Sequence, residues 1–146
     1  MPGRVALLLA VAVPLAVVDL VHKALATTPE WAYHHRGAAW IALSGFVLLG
    51  CLALARVPST GVAAAAGLLA AGACGNGIAA LAWERGIPNP LVWESSSHVA
   101  AFNLADVFTL VGIALLMVLL GSITIRNREH LLPPRAVARM LWQRRR

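Results

Sequence analysis

The sequence predicts an all-α polytopic membrane protein with four transmembrane helices and both termini cytoplasmic. Three observations carry this. Hydrophobic residues make up 60% of the chain and charged residues 12%, against about half and about a quarter in soluble domains. The apolar residues gather into four stretches, 5–26, 38–55, 61–83 and 99–125, each near the ~20 residues that cross a bilayer core. Four crossings put both termini on one side, where Arg4, Arg56, Arg126, Arg128, Arg135, Arg139, Arg144, Arg145 and Arg146 lie, against Arg36 and Arg85 in the opposite loops. The basic side is the cytoplasmic one.

The net charge of +6 therefore reports topology. The arginines cluster at segment ends and in the tail, not on an amphipathic face, so a nucleic-acid partner is excluded. The expected organisation is a four-helix membrane domain over 1–126 and a basic cytoplasmic tail over 127–146. With Pro133-Pro134 and three closing arginines, the tail reads as an anchor on anionic headgroups or as a partner-binding segment.

Each span has its own signature. The first opens after Arg4 and resembles a secretory leader, with Ala24-Leu25-Ala26 at a cleavage-like position. Asp19 and Lys23 in its last turns, its length, and the external tail that its removal would create favour retention as a span. Pro14 removes one backbone hydrogen bond midway, a kink that membrane bundles tolerate. The third span carries Gly67, Gly72, Gly75 and Gly77 among many alanines, a surface that neighbouring helices can approach closely. Trp31, Tyr33, Trp40, Trp83 and Trp93 lie in or beside the outer connections, as amphipathic aromatics do at headgroup level. Cys51 and Cys74 sit inside apolar segments without CxxC spacing or nearby histidines, so no zinc site, redox pair, metal or cofactor is expected.

Charged groups inside a bilayer are expensive and mark function by default, which singles out Asp19, Lys23 and Asp106. At ~1.5 Å per residue, Asp19 lies about 22 Å from Arg4, Asn76 about 22 Å from Gly61, and Asp106 roughly 12 Å below His98, with Asn103 almost one turn above it. All reach one outer-leaflet level. Asp19 and Lys23, four apart on one helical face, also read as a self-neutralising pair with the lysine snorkelling outward. Asn76 also reads as an interhelical hydrogen bond. Asp106 has no basic residue within a turn on its own span and needs a partner from another helix or from water.

Four motifs then stand in register: Asp19-Leu20-Val21-His22-Lys23, Arg36-Gly37-Ala38-Ala39-Trp40, Gly72-Ala73-Cys74-Gly75-Asn76 and Phe102-Asn103-Leu104-Ala105-Asp106. They resemble the D-x-x-x-K, N-x-G-A-A-F, G-A-x-G-N and F-N-x-A-D segments of the lipoprotein signal peptidases (signal peptidase II), which are four-helix membrane aspartyl peptidases. His35 stands where the second motif has asparagine. The resemblance implies that Asp106 is one catalytic aspartate and that Asp19, Lys23, Gly37, Asn76 and Asn103 bind substrate or support the site. It also implies a multi-pass protein of the bacterial cytoplasmic (inner) membrane.

The family continues from G-N into a D-R pair and then a V-D-F segment that supplies the second catalytic aspartate. Here the chain reads Gly77-Ile78-Ala79-Ala80 and later Pro88-Asn89-Pro90. Asn89 replaces the missing acid, and Glu94 in the same outer loop is the possible substitute carboxylate. A dyad works by two close carboxylates sharing a proton, so the reading is a divergent member that recognises lipid-modified lipoprotein signal peptides while hydrolysis lacks one acid. The alternatives are an active peptidase with a substitute carboxylate, a non-catalytic subunit that binds another membrane protein, and a small transporter with a proton path through Asp19 and Asp106. Membrane lipids are partners in each.

Overall fold

A computed structural model of the protein describes residues 1–130. Its four helices are α1 (Pro2–Leu25), α2 (Ala38–Leu54), α3 (Thr60–Ala82) and α4 (Leu104–Arg126). Three are long and apolar enough to cross a membrane, whereas α2 has 17 residues and rises about 26 Å. The fold is mostly helical and compatible with a polytopic membrane protein. The tail expected over 127–146 lies, from residue 131 onward, outside the described residues.

α3 is the hub, packing against α1, α2 and α4, while α1 and α4 barely meet. Its alanines and glycines make that possible. A Cβ at Gly67 would strike the Leu8 carbonyl and Val11, and one at Gly72 the Ala105 carbonyl and Thr109. Backbone-level approach of this kind is how helices associate in lipid, where apolar burial drives little. Gly77 departs from the expected small-residue seam: nothing lies within 4 Å of its would-be Cβ, so it is turned away from all three neighbouring helices.

α1 contributes the stripe Leu8, Ala12, Ala16, Asp19 and Lys23, all buried, at the three- and four-residue spacing of one helical face. Leu9, Val13, Val17 and Val21 on its other side are exposed, an apolar surface suited to acyl chains. The helix runs through Pro14. At the opposite end from Asp19, the Arg4 Nε donates to the Ala55 carbonyl at 3.0 Å and its Nη2 to the Arg56 carbonyl at 3.5 Å. A cation thus closes the last turn of α2, where helix carbonyls lack partners. Val5, Val57, Leu119 and Ile123 pack round the same core as Leu8, Ala55, Val62 and Leu116. The start of α1, the end of α2, the start of α3 and the end of α4 therefore share one end of the bundle.

The other end carries two small antiparallel sheets that the all-helical expectation missed. β1 (Tyr33–His34) pairs with β2 (Ile87–Pro88), His34 opposite Ile87. β3 (Leu91–Glu94) pairs with β4 (Val99–Phe102). The fourth span, expected from residue 99, is corrected accordingly: Val99–Phe102 is strand and the helix opens at Leu104. Asn103 forces the break, because its side chain accepts from the Asp106 N–H while the Asp106 side chain accepts from the Asn103 N–H, a capping box that sets the first turn. Gly86 makes the turn into β2 at φ +94°, against the His34 backbone.

The contrast between glycines is testable. A Cβ at Gly75 would collide with the Asp19 carboxylate and crowd Ala105. Gly75→Ala should lower stability by on the order of 1–3 kcal/mol, whereas Gly77→Ala should stay within about 0.5 kcal/mol of the unaltered protein. Unfolding followed in detergent compares the two; equal effects would remove the close approach at Gly75.

Candidate functional site

The polar residues of α1, α3 and α4 meet at the sheet end of the bundle in one connected chain of hydrogen bonds. Lys23 is buried and does not snorkel outward: its Nζ lies 2.7 Å from Asp19 Oδ2 and donates to Asn76 Oδ1 at 2.7 Å. Asn76 Nδ2 donates to Asp106 Oδ1 at 2.8 Å. The Asn103 N–H donates to Asp106 Oδ2 at 3.1 Å. Asp19 has a second duty, accepting the Ala105 N–H through Oδ1 at 2.8 Å. A carboxylate of α1 thereby caps α4 at its N-terminus, where free N–H groups and the helix dipole favour negative charge.

Each link follows from local sequence. Asp19 and Lys23 are four residues apart on the buried stripe of α1, so both face α3. Asn76 lies one residue past Gly75, whose missing side chain leaves room for the Asp19 carboxylate. The amide of Asn76 has one consistent orientation, its oxygen toward the ammonium and its nitrogen toward the carboxylate. Asp106 stands at the third position of α4 through the capping box.

A cavity of about 500 Å³ opens beside this chain between α2, α3 and α4. Its polar end is lined by His34, Arg36, Asn76, Asn89, Asn103 and Asp106, and its apolar length by residues such as Trp40, Leu43, Val47, Leu69 and Ile113. Two lining hydroxyls turn back on their own helices, Ser44 to the Trp40 carbonyl and Thr109 to the Ala105 carbonyl. The Arg36 guanidinium lies 5.6 Å from the Trp40 ring centroid, a cation–π contact at the rim. Asp106 is half-buried, and each of its oxygens accepts one hydrogen bond from the protein.

Among the expected site residues, Asp19, Lys23, Asn76, Asn103 and Asp106 join the chain, and Asn89 joins at its far end, its Oδ1 accepting from Asn103 Nδ2. Gly37 does not line the cavity; it precedes the first turn of α2, between Arg36 and Trp40, which do. Glu94 is exposed on β3 and is not among the lining residues. The residue that sequence reasoning missed is His34, whose Nδ1 lies 2.9 Å from Asn89 Nδ2. Its only signal was a place in the loop between the first two apolar runs, because two-residue strands such as β1 and β2 have no periodicity to read.

Residues 28–121, more than half of the chain, match the family described as signal peptidase (SPase) II. The chain belongs to the signal peptidase II family. No curated protein and no solved structure matches it. The matched span includes the cavity-lining residues but stops short of Asp19 and Lys23, which join the signal peptidase II region through Asn76 and Ala105. Membership supports a lipoprotein signal peptidase-like role at a membrane, with lipoprotein signal peptides and lipids as its implied ligands.

If Lys23 and Asp19 act as one unit, removing one charge leaves the other buried without a partner. Lys23→Met should then cost on the order of 3–5 kcal/mol, and adding Asp19→Asn should recover most of it. Thermal unfolding of both variants in detergent is the measurement; a double variant no more stable than the single one would break the unit.

Proposed function

We propose that the protein binds the signal peptide of a lipid-modified prolipoprotein, in the outer leaflet of a bacterial cytoplasmic membrane, and does not cleave it by the two-carboxylate route. The observation that carries this is the composition of the cavity: Asp106 is the one carboxylate among its described lining residues, and Asn89 stands across Asn103 from it. The shape supports the ligand, since a polar end continuous with an apolar length suits a peptide that carries acyl chains.

The chemistry limits hydrolysis. In an aspartyl dyad one carboxylate activates water while its protonated mate donates to the scissile carbonyl. Asp106 can still orient a water. Asn89 cannot return the proton, because an amide offers fixed N–H donors and a carbonyl acceptor and does not titrate. Asp19 is no substitute: it is fully buried and its oxygens are taken by Lys23 and the Ala105 N–H.

Loss of one dyad member depresses turnover by several orders of magnitude. The purified protein in detergent should therefore bind a diacylglyceryl-modified prolipoprotein and give no product above a blank. Asn89→Asp alone should stay silent, because the D-R pair of the family is also missing. Cleavage by the unaltered protein that is abolished by Asp106→Asn would overturn the reading and direct attention to Glu94.

Orientation is part of the proposal, motivated by the arginine-rich end formed by Arg4 and Arg56. In a variant with Cys51→Ala and Cys74→Ala, a cysteine introduced at Thr27 should react with an impermeant thiol reagent in intact cells. Labelling only after lysis would invert the topology.

A further inference from the structure

The direction of the hydrogen bonds running from α4 to His34 is fixed by two backbone groups that have no choice. The Asp106 N–H can only donate, and it donates to Asn103 Oδ1 at 3.0 Å. The Pro88 carbonyl can only accept, and it accepts from Asn103 Nδ2 at 3.4 Å. Both orient the Asn103 amide the same way, with Nδ2 toward Asn89. Asn89 must then present Oδ1 to Asn103 and Nδ2 to the next residue, the imidazole of His34. An amide N–H needs an acceptor, so Nδ1 is the unprotonated ring nitrogen and Nε2 carries the proton. Asn89 is itself held from behind, its backbone N–H donating to the Ala32 carbonyl at 3.2 Å. Nε2 makes no hydrogen bond to the described residues, on a side chain that lines the cavity.

We propose that the Asn103–Asn89–His34 relay fixes His34 as an Nε2–H donor that selects a main-chain carbonyl of the bound peptide. The occupant is taken from the function proposed above. A peptide is favoured over a lipid ester by the opposite characters of the groups at this end of the cavity. Asp106 accepts and His34 donates, and a peptide unit supplies both an N–H and a C=O, whereas an ester only accepts. His34 is a specificity-determining residue in this scheme, and Asn103 and Asn89 are positioning residues that act through it.

The full chain labelled with 15N-histidine, in detergent, tests the relay without any ligand. The ring signals that vanish in His34→Gln belong to His34, and their Nδ1 should have the shift of an unprotonated nitrogen. In Asn89→Asp the carboxylate accepts on both sides, so Nδ1 should become protonated and the signature invert. An Nδ1–H form in the unaltered protein, or one signature in both proteins, would overturn the relay. Binding is the second readout. His34→Phe should weaken a lipidated prolipoprotein segment about tenfold, the size of one hydrogen bond, and His34→Gln, which keeps an N–H, should recover most of the loss. A diacylglycerol, which carries the ester carbonyls and no peptide unit, should bind the unaltered and His34→Phe proteins alike. Equal weakening of this short ligand would transfer the contact to an ester carbonyl and overturn the peptide assignment. Failure of the unaltered protein to bind either ligand would overturn the proposed function and the carbonyl contact together, while the ring signature still decides the relay.

Discussion

The buried ammonium of Lys23 is the constraint on which the rest of the site depends. A charge removed from water needs compensation close at hand, and breaking a buried ionic contact leaves an unpaired charge at a cost of several kcal/mol. Lys23 meets the need with Asp19 on its own helix and Asn76 on α3. Each partner then has a second commitment, Asp19 to the Ala105 N–H and Asn76 to Asp106. One cation thereby ties α1, α3 and α4 together at a single depth. A shift of one residue along any of these helices turns its polar group by about 100°, so the network also fixes the register of the bundle.

Such a network forms only where backbones come close, and the composition of α3 provides that. In lipid, helices associate through small residues and interhelical hydrogen bonds, and α3 combines the two by placing Gly72 and Gly75 against α4 and Asp19, next to Asn76. α2 behaves differently, resting on α3 almost alone. Space therefore opens on either side of α3. The cavity toward α4 has a polar end, while an apolar groove of about 310 Å³ lies on the side of α1, lined by residues such as Leu8, Ala16, Leu52 and Cys74. The two differ because Asn76 of α3 and Asp106 of α4 face only the first.

Much of the fold was legible because its signals are local. The apolar runs gave the helices to within three residues, apart from the start of α4, and counting along them brought Asp19, Asn76 and Asp106 to one level. The stripe Leu8, Ala12, Ala16, Asp19 and Lys23 contained the inward direction of Lys23, although the length of the lysine side chain made an outward reach equally consistent with the sequence. What stayed hidden depends on pairings between distant segments. Val99–Phe102 reads as apolar helix until its partner Leu91–Glu94 is known, and His34 joins the site only because β1 meets β2 across the loops that join α1 to α2 and α3 to α4. Glu94, near in sequence, was drawn toward the site by its charge, yet pairing with Val99 leaves it exposed.

The amide at position 89 belongs to this arrangement as a whole. Asp19 and Lys23 cancel one another, and the N-terminus of α4 offsets the single charge of Asp106 through its dipole and through the N–H of Asn103. No cation among the described residues is hydrogen-bonded to Asn89; its partners are Asn103, His34 and the Ala32 carbonyl. A carboxylate at that position would add a second negative charge near Asp106. It would also accept from both neighbours, so the one-way run of donors from α4 to His34 would end there. Asn89 avoids both consequences: it passes on the orientation that the capping box sets, and it leaves Asp106 as the single acid among the described lining residues of the cavity.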